Sequence, residues 1–513
     1  MRTSFRALQA LALLLGFYVL ALGALGLIAL VDVLILDNAS GGFSAGAFKL
    51  VAFSVLAAIP IARGVFFVRR PKDEAPPGIS VSEQQQPELW ARVRSLAEQV
   101  GTRAPAEIRL IPQVNAAVSE NPRLLGLIPG HRRMLIGVPL LIGLTEPQLD
   151  AVLAHELGHY SNKDTRLAGI TVRGRQSLIT VVQHARAAGR GVTASVFGAY
   201  AKLYLRVSES VSRRQELSAD LASARIAGRD HAAAAMRQLP ALDLAYDFYL
   251  DRYAAVGWDA GYLPLASEFY GGFRSLLGSA KRQAELDEVR AEPPVRETSP
   301  YDSHPPVHER VAALEALPAD GRVITGEERQ ALDLLRDVDH LLAAVAAVTL
   351  PADAAGKRPV SWEVLARETG RAALHRGVAP HCPPGGTVES LLPTLLDEID
   401  RDGTVPVIAR LPRSAEAERA TGRAAREFGR GALRGLVERL ALLDLVEHGR
   451  ASYVLTWDEP LHLHYAEGVE DALDAALDAL VGDSPSTGPL RALLADAAAA
   501  EAATEVGPSA AAD

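Results

Sequence analysis

His155 and His159 stand four residues apart, with Glu156 directly after the first, in the run Ala154-His155-Glu156-Leu157-Gly158-His159-Tyr160. On an α-helix such residues lie about one turn apart on one face, so two imidazoles at this spacing can hold a single ion. Neutral imidazole is a good zinc ligand, and a carboxylate beside the first histidine sits where a water on that ion would be. A catalytic zinc takes three protein ligands and keeps its fourth position for water. Glu216 and Asp220 form a second pair four apart. Glu216 can bind metal while Asp220 reaches a ligand histidine's free N–H and fixes its tautomer. Taken alone, Glu-x-x-x-Asp is also a common solvated face, and the histidine pair could sit by accident on a core helix.

The first requirement is a helix around His155. Thr145 is placed as its N-cap, Gln148 three residues on completes a capping box, and Pro147 suits the first turn. Leu149, Val152, Leu153 and Leu157 supply an apolar stripe at helical spacing. Upstream, Pro87 to Val100 reads as a short amphipathic helix. Glu107 to Ile111, Asn115 to Val118 and Met134 to Val138 read as extended pieces. They predict a small sheet beside the metal helix. These strands could serve only to pack the helix; alternatively an exposed edge strand pairs with an extended substrate.

Residues 10–31 form an apolar run of 22 residues, long enough at about 1.5 Å each to span a bilayer core of ~30 Å. A second, Phe48 to Val68, carries Lys49 and Arg63 near its ends, where both could snorkel. Arg2 and Arg6 precede the first span; Arg69, Arg70 and Lys72 follow the second; Asp32 and Asp37 are placed in the intervening loop. This distribution predicts a hairpin of two transmembrane helices in the cell inner or plasma membrane, with both ends and the catalytic region in the cytoplasm. An interfacial second segment and a cleaved signal peptide are the alternatives. The formal charge is −9, and residues 451–513 alone carry twelve Asp or Glu against one Arg, a net of −11. Nothing in this balance marks a nucleic-acid binder. Cys382 is the single cysteine, so no internal disulfide forms.

With these pieces assembled, the chain resembles the HtpX and CAAX-prenyl-protease family of membrane-associated gluzincin zinc metallopeptidases. The resemblance rests on Asn115-Ala116-Ala117-Val118, on His155-Glu156-Leu157-Gly158-His159, on Ser212-Arg213-Arg214-Gln215-Glu216-Leu217-Ser218-Ala219-Asp220, and on Ser303-His304-Pro305-Pro306 with Arg310. These occur in the family's order and cover roughly residues 85–316. The resemblance implies one zinc per chain held by His155, His159 and Glu216, with Glu156 as catalytic base. It implies that His304 stabilises the oxyanion, that Asp220 and Arg310 support the ligands, and that Asn115 to Val118 contact substrate. One departure is visible: HtpX proper has two further membrane spans between the second histidine and the glutamate, whereas here Arg173, Arg175, Arg186, Arg190 and Lys202 interrupt that region. Val192 to Leu205 remains apolar enough to pack on a membrane surface. The closer likeness is to members with a soluble catalytic domain behind an N-terminal anchor.

The fold expected is therefore mostly α with a small β-sheet, an α+β catalytic domain behind an N-terminal transmembrane hairpin, with a helical C-terminal domain. In boundaries, residues 1–70 hold transmembrane helices at about 8–31 and 48–68, 71–86 a linker, and 87–318 the metallopeptidase domain. Residues 326–495 form a helical accessory domain and 496–513 a disordered Ala-rich acidic tail. The partners expected are the lipid bilayer and polypeptide substrates, membrane or misfolded proteins, and no nucleic acid. A latent or non-proteolytic membrane scaffold acting through the C-terminal domain is the competing reading.

In that last third, Arg419, Arg423, Arg426, Arg430 and Arg434 fall on one helical face, either solvated or docked on acidic residues or anionic lipid. Leu440 to Thr456 faintly resembles a winged-helix wing, but the surrounding acidity opposes DNA binding. Glu398 to Gly403 mimics the start of a calcium loop, yet Ala409 stands where a bidentate Glu is needed. His381 with Cys382, and His462 with His464, lack partners at ligand spacing.

Overall fold

The structure is a computed structural model that describes residues 2–38, 45–66, 77–120, 130–160, 178, 181–183, 186, 191–294, 305–322, 324 and 326–505. It is mostly helical with small sheets, an N-terminal apolar helix and a helical C-terminal region. The chain folds as two units, Met1–Tyr246 with Ala284–Thr349, and Asp247–Gln283 with Leu350–Asp513.

In the first unit, α1 (Arg2–Asn38) and α2 (Ala45–Phe66) begin the chain. Apolar side chains face outward over most of α1; Ala12–Asp37 is the one helix among the described residues long and apolar enough to cross a membrane. Asp32 and Asp37 lie on α1 itself rather than in a loop, because the helix runs on to Asn38. Ser54 of α2 donates a hydrogen bond to Asp32, which ties the two helices together and satisfies a carboxylate in an apolar setting. Arg69, Arg70 and Lys72 lie outside the described residues.

Next come β1 (Ile79–Val81), α3 (Pro87–Val100), β2 (Glu107–Ile111), β3 (Ala116–Glu120) and β4 (Arg132–Gly137). The strands form one sheet in the order β1-β2-β4-β3, so β3 is an edge strand. β2 and β4 run parallel with Ile108 opposite Met134, while β3 and β4 run antiparallel with Val118 opposite Met134. At the start of that last ladder Gly137 is needed, since a Cβ there would lie 2.1 Å from the Gln113 carbonyl oxygen and 2.8 Å from that of Asn115. The short helix α4 (Val138–Gly143) leads into α5 (Glu146–Gly158).

α5 carries the histidine pair and is enclosed more widely than an amphipathic stripe would require: Leu149, Ala151, Leu153, Ala154, Leu157 and Gly158 are all buried. Its start is capped as expected, with the Thr145 N–H donating to Gln148 Oε1 at 3.0 Å. Residues 328–336 strap this end: the Glu146 N–H donates to the Arg329 carbonyl at 2.8 Å and the Ala331 N–H to that of Leu144 at 3.0 Å.

The helix packed most intimately on α5 is α6 (Gly191–Ala227), 37 residues long. At its N-terminal end Phe197, Ala201 and Tyr204 are buried with Leu14, Phe17 and Ala21 of α1 and with Leu178 and Val181. Tyr200 donates to the Leu13 carbonyl at 2.6 Å. The apolar side of Val192 to Leu205 is thus spent at least partly on protein. Further along, Ala224 and Ala227 join Ala151 of α5, Ala232, Ala233 and Ala235 of α7 (Arg229–Tyr249), and Leu314 of α8 (Val307–Glu315). Small side chains on facing helices let the backbones approach, which places functional groups within a few ångströms of each other.

The second unit is built on helices Trp362–Val378, Val388–Asp402, Gly422–Glu447, Val469–Val481 and Gly488–Glu505, whose Leu374, Leu395, Leu436, Leu440 and Leu477 share one core. Tyr253 stacks on Trp457 at 5.3 Å between ring centroids, and Trp362 meets Trp457 edge-on. Ala451–Val454 and His462–Tyr465 pair as an antiparallel hairpin after the long helix. Of the arginine face, Arg434 bonds Asp474 at 2.8 Å and Arg430 bonds Asp483 at 2.8 Å, so these two dock on acidic side chains of this same unit.

Candidate metal centre

α5 and α6 lie side by side because Gly158, between the two histidines' turn and the helix end, has no side chain. A Cβ there would stand 3.2 Å from Ala219 Cα and 3.3 Å from Ala222 Cβ. Ser223 reinforces the contact by donating to the Ala151 carbonyl at 2.8 Å. This apposition brings Glu216 of α6 up to the histidine face of α5. His155 Nε2 and His159 Nε2 are 3.2 Å apart. Glu216 Oε2 is 3.5 Å from the first and Glu216 Oε1 is 3.7 Å from the second. One donor atom from each of the three residues can be chosen so that all lie within 4.8 Å of one another. Two imidazole nitrogens and one carboxylate oxygen on that scale form the donor set that a catalytic zinc uses, so the residues fit such an ion.

Around this trio is a buried charge network. Asp220, one turn beyond Glu216, places Oδ1 3.0 Å from His155 Nδ1, the nitrogen that faces away from the cluster. Arg310 of α8 grips the same carboxylate with both ends of its guanidinium, Nη2 to Oδ1 at 2.6 Å and Nε to Oδ2 at 3.0 Å. Its Nη2 also lies 3.6 Å from Glu216 Oε2. Burial alone would push the Asp220 carboxyl up, but hydrogen bonds from His155 and Arg310 outweigh it and hold the group below its ordinary value. Burial likewise disfavours charge on His155, yet Asp220, Glu216 and Glu156 together push its pKa up to about 9. The pocket around His155 therefore favours positive charge. Glu156 is half-buried beside it, on the same turn of α5.

Next to the centre stands β3. In an antiparallel ladder only every second residue aims its N–H and C=O at the partner strand. The Gly137 N–H donates to the Asn115 carbonyl at 2.8 Å, in register with the β3–β4 pairing. Asn115, Ala117 and Ser119 therefore face β4, and the backbone groups of Ala116 and Val118 face outward from the sheet. The side chains alternate too, and Ala116 and Val118 are buried although their strand is at the edge.

The structure thus gathers His155, His159, Glu216, Asp220 and Arg310, with Glu156 adjoining, and sets Asn115 to Val118 on the neighbouring strand. His304 lies outside the described residues. Reading the sequence did not single out Tyr160, whose hydroxyl donates to the Val118 carbonyl at 2.6 Å. Its adjacency to His159 was the only local signal.

Comparison with known proteins covers the same part of the chain. Residues 83–317 match the model for Peptidase family M48. A "Protease HtpX homolog" of Pyrococcus abyssi is 29% identical over 167 residues, 30% of this chain and 56% of the relative. One from Nostoc sp. is 31% identical over 179 residues, 32% of this chain and 60% of the relative. A "Protease HtpX" of Hahella chejuensis is 26% identical over 248 residues, 44% of this chain and 71% of the relative. The chain spans little more than half the length of the first of these relatives. No solved structure matches. The helix pair, its histidines and its glutamate all lie within the matched stretch, so it is the part of the chain carrying the metal centre that is similar to peptidase family M48 and to the HtpX proteases.

Proposed function

We propose that this protein is a membrane-anchored zinc endopeptidase. The observation that carries the reading is the His155–His159–Glu216 cluster, with Asp220 fixing the far nitrogen of His155. His155, His159 and Glu216 would hold one zinc ion. Bound there, zinc would lower the pKa of a water to ~7 and polarise a peptide carbonyl. Glu156, beside His155 on the same turn, would accept the proton of an attacking water and return it to the leaving amine. His155 keeps its ligand tautomer because Asp220 accepts from Nδ1, and Arg310 offsets the two buried carboxylates. His304 is assigned to the oxyanion, on the family resemblance. The backbone of Ala116 and Val118 is assigned to the substrate, as an added strand on the sheet edge.

Residues 87–318 are the catalytic domain in this reading, and 326–495 an accessory domain. The anchor is the hairpin of α1 and α2, with the catalytic region cytoplasmic, and the substrates are membrane or misfolded polypeptides in quality control. The support for the anchor is the apolar Ala12–Asp37 helix and the positive-inside pattern, and for polypeptide substrates the word protease in the relatives' names.

The test is zinc content and casein cleavage of the detergent-purified protein beside Glu156→Gln. The expected outcome is about one zinc in both proteins and cleavage by the wild type alone, with the variant down by 10²-fold or more, on the order of what general-base removal costs. Zinc in both without cleavage in either would favour a latent enzyme or scaffold. Failure of the wild type to hold zinc would overturn the ligand assignment.

A further inference from the structure

The outward row of β3 is where an extended polypeptide would pair, yet one of its acceptors is already taken. Tyr160 directly follows His159, and its hydroxyl donates to the Val118 carbonyl, which faces away from β4. The phenol does not rest there loosely. The Tyr160 carbonyl accepts from Thr102 Oγ1 at 3.0 Å. The Arg132 guanidinium lies over the ring at 4.8 Å from its centroid. That guanidinium is itself held, by Thr102 Oγ1 at 3.0 Å, by the Arg103 carbonyl at 2.6 Å and by Glu120 Oε2 at 2.9 Å. Glu120 is the last residue of β3. A cation over the ring, a hydroxyl on the backbone and a carboxylate at the strand end thus fasten Tyr160 to β3 at two points.

We propose that Tyr160 is a latch on the substrate-binding edge: its hydroxyl occupies the Val118 carbonyl, and an extended polypeptide must displace it to pair beyond Ala116. The inference rests on the peptidase reading of the same site, and it adds a residue that sets how tightly long substrates bind. No covalent step is involved, only the exchange of one hydrogen bond for another. The latch lowers affinity for any chain that needs both outward positions, while the histidines, Glu156 and Glu216 are untouched by it.

The discriminating change is Tyr160→Phe, which removes the hydroxyl and keeps the ring under Arg132. Binding is read by anisotropy of fluorescein-labelled β-casein on full-length, zinc-loaded protein carrying Glu156→Gln, with and without Tyr160→Phe. The expected result is tighter binding by Tyr160→Phe, on the order of 2- to 10-fold, the range of one exchanged hydrogen bond. In protein with Glu156 intact, KM for β-casein falls by the same factor while kcat is unchanged. Unchanged or weaker binding by Tyr160→Phe overturns the latch, and a rise in KM would make the hydroxyl a support of the strand instead. The two hypotheses fail separately. Absence of cleavage with Glu156 intact defeats the peptidase reading, while the anisotropy comparison decides on Tyr160 without any turnover.

Discussion

At the residue scale the centre is a balance of buried charges, and each member can be removed with a definite consequence. Asp220→Asn keeps size but lets an amide face His155 Nδ1, so the tautomer that frees Nε2 for metal loses its acceptor. Losses of 10- to 100-fold in metal affinity are typical for such outer partners, and zinc competition titration of this variant is expected to fall in that range. Arg310→Ala is the harsher change. It leaves Asp220 and Glu216 buried without their shared cation, a type of break that costs roughly 3–5 kcal/mol; chemical denaturation of the apo protein reads this directly. The histidine pair and Glu216 were legible in the sequence because an i, i+4 spacing on a helix is a local property. The role of Arg310 was legible only through resemblance, since nothing within nine residues of helix Val307–Glu315 says that it faces α6. The bond from Tyr160 to β3 was not legible, for its adjacency to His159 says nothing of a strand partner. Which carbonyls of β3 face outward depends on the pairing of Asn115 with Gly137, a register that no local pattern encodes.

At the scale of elements, the spacing of His155, His159 and Glu216 is set by how closely α5 and α6 approach. Gly158→Val puts branched carbons where Ala219 and Ala222 already stand. Overpacking of this kind costs about 1–3 kcal/mol, and the expected reading is a lowered melting temperature together with weaker zinc binding. The start of α5 offers a second test. Glu328 accepts from Thr145 Oγ1 at 2.9 Å and contacts His231 Nε2 at 2.5 Å, both at part-buried positions. Glu328→Ala strands those partners, which costs roughly 1–3 kcal/mol, measurable by urea denaturation. The capping box and the three core strands could be anticipated from the residues. The strap could not, because residues 328–336 meet Leu144 and Glu146 across a separation of more than 180 residues, and long-range backbone pairing leaves no periodic trace.

For the molecule as a whole, the first unit joins an apolar N-terminal pair of helices to the metal centre, and the second is a helical body with its own core. The sequence conveyed both as hydrophobic runs and helical periodicity. It did not convey that residues 247–283 group with the C-terminal region, since that depends on packing such as Tyr253 against Trp457. Among the described residues, α6 carries both Glu216 and the side chains buried against α1. Tyr204 is its last described residue buried against α1, and twelve residues separate it from Glu216. At 1.5 Å per residue the helix holds the two levels about 18 Å apart along its axis. It is therefore a ruler. On the membrane-anchored peptidase reading proposed above, this fixed height predicts a constant distance between a membrane-embedded substrate's span and its cut. Lengthening that substrate's juxtamembrane segment by alanines should leave the distance from span to cut constant.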